Sequence, residues 1–353
     1  MGRYGFDVID ADGHGGEEAR WFERLPTAHA DDYARWKRRC DEHFGKLTLP
    51  GAGLARRGDR FEQRPGMIDS KARLEDMDLE GIDITVTYPG GAGEEWALLD
   101  RDFSVALCRA LNDAKAAFCQ YAPERIKAIA KLPMIAPEAA ALELRRAVTE
   151  LGLVGMVVPQ HIREKNLDDP SFDVVWAEAQ RLGVPVCVHG GGQALDQQPI
   201  GVDRFQTRLE VHALTHPLGN MIALDCFTVG GILHRFPELR VAFLESGCGW
   251  LPFWLERLDE HYELMPEQAE RIDRKPSEYF LDGRAWVATE PDERTLPYVV
   301  ERLGSERILY ASDYYHWDCA FPNSVKLLAE RSDLDPAAKT RILGGNAAEL
   351  YGF

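Results

Sequence analysis

Short apolar runs alternate with stretches of helical spacing along almost the whole chain, and this alternation leaves few folds open. The runs cover residues 6–14, 82–88, 125–132, 154–158, 184–189, 239–245, 286–289 and 307–313. Helical spacing covers 71–80, 103–122, 137–151, 172–182, 217–236, 250–262, 296–303 and most of 324–350. Gly81, Gly152 and Gly183 stand where helices should stop. In the helix over 137–151, Leu142, Leu144 and Val148 are expected among the buried residues. Near the C-terminus, Gly344 and Gly345 should interrupt the helical tail, and Asn346 should open its last turn. Eight strands, each followed by a helix, predict an α/β fold of the (β/α)₈ TIM-barrel type. A doubly wound sheet is the competing architecture. It would place a glycine-rich phosphate loop after an early strand, and Gly190-Gly191-Gly192 lacks the spacing for one.

The expected organisation is one barrel domain over residues 1–353. An insertion after the first strand, residues 18–69, breaks the plain alternation. It mixes Trp21, Trp36 and Phe44 with many charges and then runs through a Gly/Arg-rich stretch. A partly helical, lid-like segment over the barrel mouth is expected. Arg57, Arg60 and Arg64 either meet a substrate carboxylate or belong to a solvated loop.

Lys and Arg number 41 against 58 acidic residues, a formal charge of −17. Such a surface repels nucleic acid and anionic membrane, so neither is an expected partner. Small carboxylates stay open as substrates, because a bound cation reverses the local potential. The seven cysteines are scattered, without a C-x-x-C pair. With no apolar signal region at the start and no membrane-length apolar run, the expected setting is a reducing cytoplasm.

The strand ends carry the chemistry. The first strand runs apolar residues into Asp12 and His14, two apart and so on one side of an extended backbone. The fifth ends at His189, just before three glycines, and the eighth ends at Asp313. Barrel enzymes gather their reacting groups at this end. Asp12, His14, His189 and Asp313 are therefore the candidate ligands of one divalent ion. Their mixed N/O set suits zinc first and manganese second. Asp313 has an alternative role beside the ion as a proton carrier. Each also has a plainer reading, as a turn or helix cap for the aspartates and a satisfied structural histidine for the imidazoles.

Glu245 ends the sixth strand. It is a general acid/base, a further ligand, or the structural partner of Arg257. His316, three residues beyond Asp313, is a candidate for proton transfer or substrate contact, with His212 and His216 behind it and His161 further back. His234 and His261 read as ordinary helix-end or surface residues. Trp250 and Trp317 are either pocket walls or helix packing.

The residues above also carry a resemblance. Asp10-Ala11-Asp12-Gly13-His14, Arg73-Leu74 with Met77, Asn112-Asp113, Pro185-Val186 with His189, Phe236-Pro237-Glu238-Leu239, the segment from Glu245 to Arg257, and Ser312-Asp313-Tyr314 occur in order. Together they resemble the amidohydrolase-2 family, which includes aminocarboxymuconate semialdehyde decarboxylase and the resorcylate decarboxylases. The resemblance implies a metal-bearing barrel, often assembled as a homodimer, to which the aromatic segment over 250–262 would contribute. Many members begin with His-x-His. Asp12 takes the first position here, as an acidic residue does in related aromatic-acid decarboxylases. Where well-studied decarboxylases carry a proton-transferring histidine on strand six, this chain has Glu245, and His212, His216 or His316 would supply the imidazole.

The first functional expectation is metal-dependent, non-oxidative decarboxylation of a small aromatic or unsaturated carboxylic acid. Glu245 or a nearby histidine would assist protonation. The alternative is hydrolysis of an amide, ester or lactone by water activated at the metal, with Asp313 as base and Glu245 or His316 helping the leaving group.

Overall fold

The computed structural model describes residues 2–16, 21–47, 64–89, 100–190, 204–205, 207–316 and 318–353, without the side chains of residues 40–47 and 208. Strand one is Ile9–His14 and strand two is Ile84–Tyr88. Strand three comes in two pieces, Ile126–Ala128 and Ala130–Lys131. Strands four to eight are Met156–Val158, Val186–Val188, Val241–Phe243, Ala285–Thr289 and Ile308–Tyr310. Each pairs in parallel with the next. The break at Ile129 divides the work of strand three: its first piece pairs with strand two and its second with strand four. The ring closes where the Asp313 N–H donates to the Asp12 carbonyl at 3.0 Å and Gly13 bridges Tyr314. This is the expected (β/α)₈ barrel.

Helices surround the ring: α1 (Ala30–Leu47), α2 (Ser70–Glu80), α3 (Arg101–Cys119), α4 (Pro137–Thr149), α5 (Asp173–Leu182), α6 (Arg208–Phe227), α7 (Ile232–Arg235), α8 (Leu251–Leu264), α9 (Pro276–Leu281), α10 (Leu296–Leu303), α11 (Ser324–Ala329), α12 (Pro336–Thr340) and α13 (Asn346–Tyr351). Local chemistry sets their ends. Asp69 caps α2 by accepting the Ala72 N–H at 2.7 Å, and Asp100 caps α3 through Phe103 at 2.9 Å. The strands are buried on both faces, which is why they read as apolar runs instead of alternating ones.

Three expectations need correction. Leu142 is exposed while Leu144 is fully buried, because residues two apart on a helix face different ways; Val148 is half-buried. The helix expected over 217–236 starts earlier, at Arg208, where Thr207 and Glu210 form a reciprocal capping box, and it carries Pro217 in its interior. It stops at Phe227, and α7 is a separate short helix. At the C-terminus, the interruption at Gly344-Gly345 is a π turn, and α13 does open at Asn346. The Asn346 amide ties α13 to strand eight by donating to the carbonyls of Ser305 and Ile308, both at 2.7 Å.

Within the inserted segment, α1 packs Trp36, with Trp21, Leu25 and Tyr33 around it, against Phe103, Leu107 and Leu111. Phe103 and Leu107 lie in the first half of α3 and Leu111 just past its middle. Barrel helices run back against their strands, so this half is the one nearest the strand C-termini. Arg57 and Arg60 lie outside the described residues.

Candidate metal centre

The strand ends bring four side chains to one place. Asp12 and His14 are almost fully buried and point inward from strand one, as their i, i+2 spacing requires. The His14 Nε2 lies 3.6 Å from Asp12 Oδ1 and 3.0 Å from Asp313 Oδ1. The His189 Nε2 lies 3.5 Å from Asp12 Oδ2. Asp12 Oδ1, His14 Nε2, His189 Nε2 and Asp313 Oδ1 are buried atoms without an aligned hydrogen bond. Each such atom costs about 1–3 kcal/mol if nothing satisfies it. Those of Asp12, His14 and His189 lie within 4.8 Å of one another, and Asp313 joins them through His14, an arrangement that suits a cation. Ligand atoms about 2.1 Å from a shared ion stand about 3.0 Å apart at a right angle and about 3.4 Å apart at a tetrahedral angle. Of the observed spacings, 3.0 Å falls in that range and 3.5 and 3.6 Å lie just above it.

The tautomer of His189 is set from behind. Its Nδ1 lies 2.9 Å from the Gly190 carbonyl and 3.4 Å from Glu245 Oε2, so Nδ1 keeps its proton and Nε2, facing Asp12, is the nitrogen that a cation would take in exchange for a proton. Gly190 itself has no room for a side chain: a Cβ there would run into the His216 ring and come within 3.1 Å of Glu245 Oε2. The plain reading of these residues as caps or satisfied structural groups does not account for their open lone pairs.

A second set surrounds Glu245. Its carboxylate lies 3.3 Å from His316 Nδ1, 3.5 Å from His216 Nε2 and 3.4 Å from His189 Nδ1. His316 Nδ1 also lies 2.6 Å from Asp313 Oδ1, and its ring stacks on His14 at 3.9 Å between centroids. These imidazoles, and not Arg257, are the ionic partners of Glu245 among the described residues; Arg257 is exposed on α8. His216 reaches the site because α6 begins at Arg208. His212, His216 and Asn220 then repeat every four residues along one face. His212 packs edge-on to His216 at 4.8 Å and lies 3.9 Å from Asp318. That spacing was readable from the residues once the capping box was recognised.

Burial and charge pull the protons in different directions. Burial holds the His14 imidazole well below its ordinary range, and the neighbouring His316 adds to this. Burial also works against protonating His189, but Glu245 and Asp12 outweigh it and push the ring up to about 10. Against the same desolvation, Asp313 and Glu245 raise His316 well above the usual imidazole value. Cation and proton compete for the same lone pairs in such a cluster.

Both strand-end carboxylates sit in left-handed backbone, with φ of 55° at Glu245 and 51° at Asp313. Each non-glycine residue so placed costs about 1–3 kcal/mol and persists where its surroundings hold it. Around Glu245, the Asn220 amide donates to the Leu244 carbonyl and the Ser246 hydroxyl, both at 2.7 Å. Trp250 donates its indole N–H to the Gly247 carbonyl at 2.9 Å, so this candidate pocket wall also braces the loop. Trp317 lies outside the described residues.

Around Asp313, the frame is Asp10, a residue given no role from the sequence beyond the resemblance. Its buried carboxylate accepts from the Ser312 N–H, the Ser312 hydroxyl and the Thr85 hydroxyl, each at 2.8 Å. Arg73 donates to the His14 carbonyl at 3.0 Å and lies over the Tyr314 ring at 4.0 Å. Glu290, just past strand seven, also went unnoticed. It is exposed, and the neighbouring carboxylates of Asp313, Asp318, Glu245 and Glu293 favour its protonated form. The other histidines named from the sequence have partners outside this cluster. His161 pairs with the Arg163 carbonyl, His234 with Tyr279, and His261 with the Arg257 carbonyl.

Comparison with known proteins follows the same lines. 2-Amino-3-carboxymuconate-6-semialdehyde decarboxylase of Dictyostelium discoideum is 29% identical over 293 residues, spanning 81% of this chain and 77% of its own. Decarboxylase orsB of Emericella nidulans is 30% identical over 279 residues, spanning 73% and 80%. The structure of 5-carboxyvanillate decarboxylase from Novosphingobium aromaticivorans, complexed with manganese and 4-hydroxy-3-methoxy-5-nitrobenzoic acid, shares the fold. It has a TM-score of 0.78 and 23% identity, and the match covers 100% of this chain and 98% of its own. The sequence profile described as Amidohydrolase matches residues 40–353, a stretch that includes His189, Glu245 and Asp313. With that match across seven of the eight strands, the chain belongs to the amidohydrolase family.

Proposed function

We propose that this chain is a divalent-metal-dependent carboxy-lyase that removes carbon dioxide, without oxidation, from a small aromatic or unsaturated carboxylic acid. The observation that carries the reading is the pairing of four buried, unsatisfied donor atoms with a carboxylate that touches three imidazoles. Decarboxylase relatives support it. Asp12, His14, His189 and Asp313 would hold the ion, which supplies positive charge for the substrate carboxylate and an adjacent oxygen. Two carboxylates and two imidazoles accept either zinc or manganese. The manganese named with the structural neighbour moves the proposal from zinc towards manganese.

The chain's own residues then handle one proton. Glu245 keeps the His316 ring charged, and His216 stands against the same carboxylate. One imidazolium gives its proton to the substrate carbon that bears the carboxylate. The bond to that carboxylate breaks, its electron pair returns to the ring or double bond, and carbon dioxide leaves. The imidazole regains a proton from solvent through the half-open mouth. His216, Trp250 and Trp317 are proposed to line the substrate space. The segment over 18–69 is proposed as its lid, supported by the packing of α1 on the mouth end of α3. Arg64 pairs with Asp76 at 2.6 Å and lies over Phe321 at 4.7 Å, which anchors the end of that segment.

A homodimer is proposed as the assembly, with Phe253, exposed on α8, in its contact. A reducing cytoplasm is proposed as the setting. Free, buried thiols at Cys108, Cys119, Cys187, Cys226 and Cys248 agree with it, and no helix among the described residues is long and apolar enough to cross a membrane.

The test is turnover in D₂O and, separately, in ¹⁸O-labelled water, on a panel of ortho-hydroxybenzoates and unsaturated carboxylates. The proposal expects released carbon dioxide, one deuterium at the carbon that lost it, and no ¹⁸O in the organic product. Labelled oxygen in that product would establish hydrolysis instead.

A further inference from the structure

The loop after strand six contains Ser246-Gly247-Cys248-Gly249, a segment that the proposed chemistry does not use. Its amides point at a carboxylate from another loop. Glu293, four residues beyond strand seven, accepts the Cys248 N–H at 2.9 Å and the Gly249 N–H at 2.6 Å. It also accepts the Thr289 hydroxyl at 2.9 Å, the Thr295 hydroxyl at 2.7 Å and the Cys248 thiol at 3.3 Å. Five donors converge on one side chain. The two carboxylate oxygens share these donors as acceptors, and an amide in their place would turn N–H groups towards some of them.

The loop is shaped to let that carboxylate in. A Cβ at Gly249 would come within 2.9 Å of Glu293 Oε1. Glu293 is itself held from behind: its carbonyl accepts from Arg331 at 2.8 Å, and its N–H donates to the Glu290 carbonyl at 3.2 Å. The clamped amides begin three residues after Glu245, whose left-handed backbone needs holding. Asn220 and Trp250 brace the loop up to Gly247, and Glu293 secures the part beyond it.

We infer that Glu293 is a positioning residue, which clamps the strand-six loop so that Glu245 stays within reach of His216 and His316. The inference rests on the role proposed for Glu245 in proton delivery.

The test is a double-mutant cycle on the metal-loaded enzyme with Glu293→Gln and Glu245→Gln. A glutamine turns two N–H donors towards groups that are themselves donors. The expected result is a kcat lowered about 10- to 100-fold by Glu293→Gln, with KM changed less than about threefold and metal content unchanged. In the Glu245→Gln background, the same substitution should cost less than about threefold, because the group it positions is already gone. Equal losses in both backgrounds, or no loss in either, would overturn the inference.

Backbone amide exchange separates the clamp from the chemistry. Glu293→Gln should speed exchange over residues 245–250 at least about tenfold and leave strand one unchanged. Unchanged protection of that loop would also overturn the inference. A wild-type enzyme that releases no carbon dioxide, combined with a loosened loop in the variant, would count against the decarboxylase reading and not against the clamp. Should Glu293→Gln fail to fold, Thr289→Val removes one donor from the same carboxylate, and the same pattern is expected at about a third of the size on a logarithmic scale.

Discussion

Two halves of one site are built on opposite terms. Asp12, His14 and His189 are at most 7% exposed, and their inward-facing atoms have no aligned hydrogen bond. Glu245 and His316 are more open, with side chains 15% and 35% exposed, and they face each other as a charged pair. The first half is costly to leave as it stands and relaxed once a cation is present. The second is satisfied without a cation and keeps contact with water, so it can take up and give away a proton. The difference separates holding from reacting. The same barrel end supplies both, with strands one and five on one side and strand six, α6 and the strand-eight loop on the other. Asp313 belongs to both: its Oδ1 faces His14 and lies beside His316.

Glu245→Gln strikes chiefly the reacting half, touching the holding half only behind His189, and the largest loss is expected there. Turnover should fall about 10²- to 10⁴-fold while one divalent ion per chain is retained, as steady-state kinetics with metal analysis will show. Loss of the ion together with activity would merge the two halves. His316→Ala and His216→Ala sharpen the comparison further. The ring that delivers the proton should cost about 10²-fold or more and the other about tenfold or less; equal effects would mean that neither delivers it alone.

Asp10→Asn attacks the frame behind the holding half. The variant leaves Arg73 without its buried counter-charge and loosens Ser312 beside Asp313. A loss of about 3 kcal/mol is expected, read as a lower urea midpoint, and unchanged stability would show that the frame is dispensable. The smallest effect belongs to the outer helices. Glu178 on α5 pairs with Arg181 and with Arg145 of α4, and these partners hold its carboxyl down at about 2, against the opposing effect of burial. Its folded value lies below the unfolded one. Its contribution is therefore full above about pH 5 and fades as the pH falls towards 2. Both arginines are half-exposed and screened, so Glu178→Gln should cost only about 1–2 kcal/mol at pH 7 and progressively less below pH 5, with turnover unchanged.

The holding half was the more legible one. Asp12 and His14 share a side because a strand repeats every two residues, and His189 stood out as the one polar end of an apolar run. Asp313 and Glu245 were visible for the same reason. Their left-handed backbone was not, because it comes from hydrogen bonds to groups far off in the chain, such as Asn220, 24 residues from Leu244. Arg73, 59 residues from the His14 carbonyl it holds, was out of reach for the same reason. His216 stands behind His316 in the sequence, where helical spacing is evident only from Pro217 onwards. The capping box at Thr207 is a local signal, and it would have placed the histidine correctly. Leu142 was misplaced because apolar character alone does not say which of two neighbouring helix faces is inward.

The most direct test of the central claim is metal content per chain, on protein purified without chelator, for the parent and for His189→Ala. The account predicts close to one divalent ion in the parent and a sharp loss in the variant, with the barrel still folded by circular dichroism. A parent that holds no ion and takes up neither zinc nor manganese when they are supplied would contradict it.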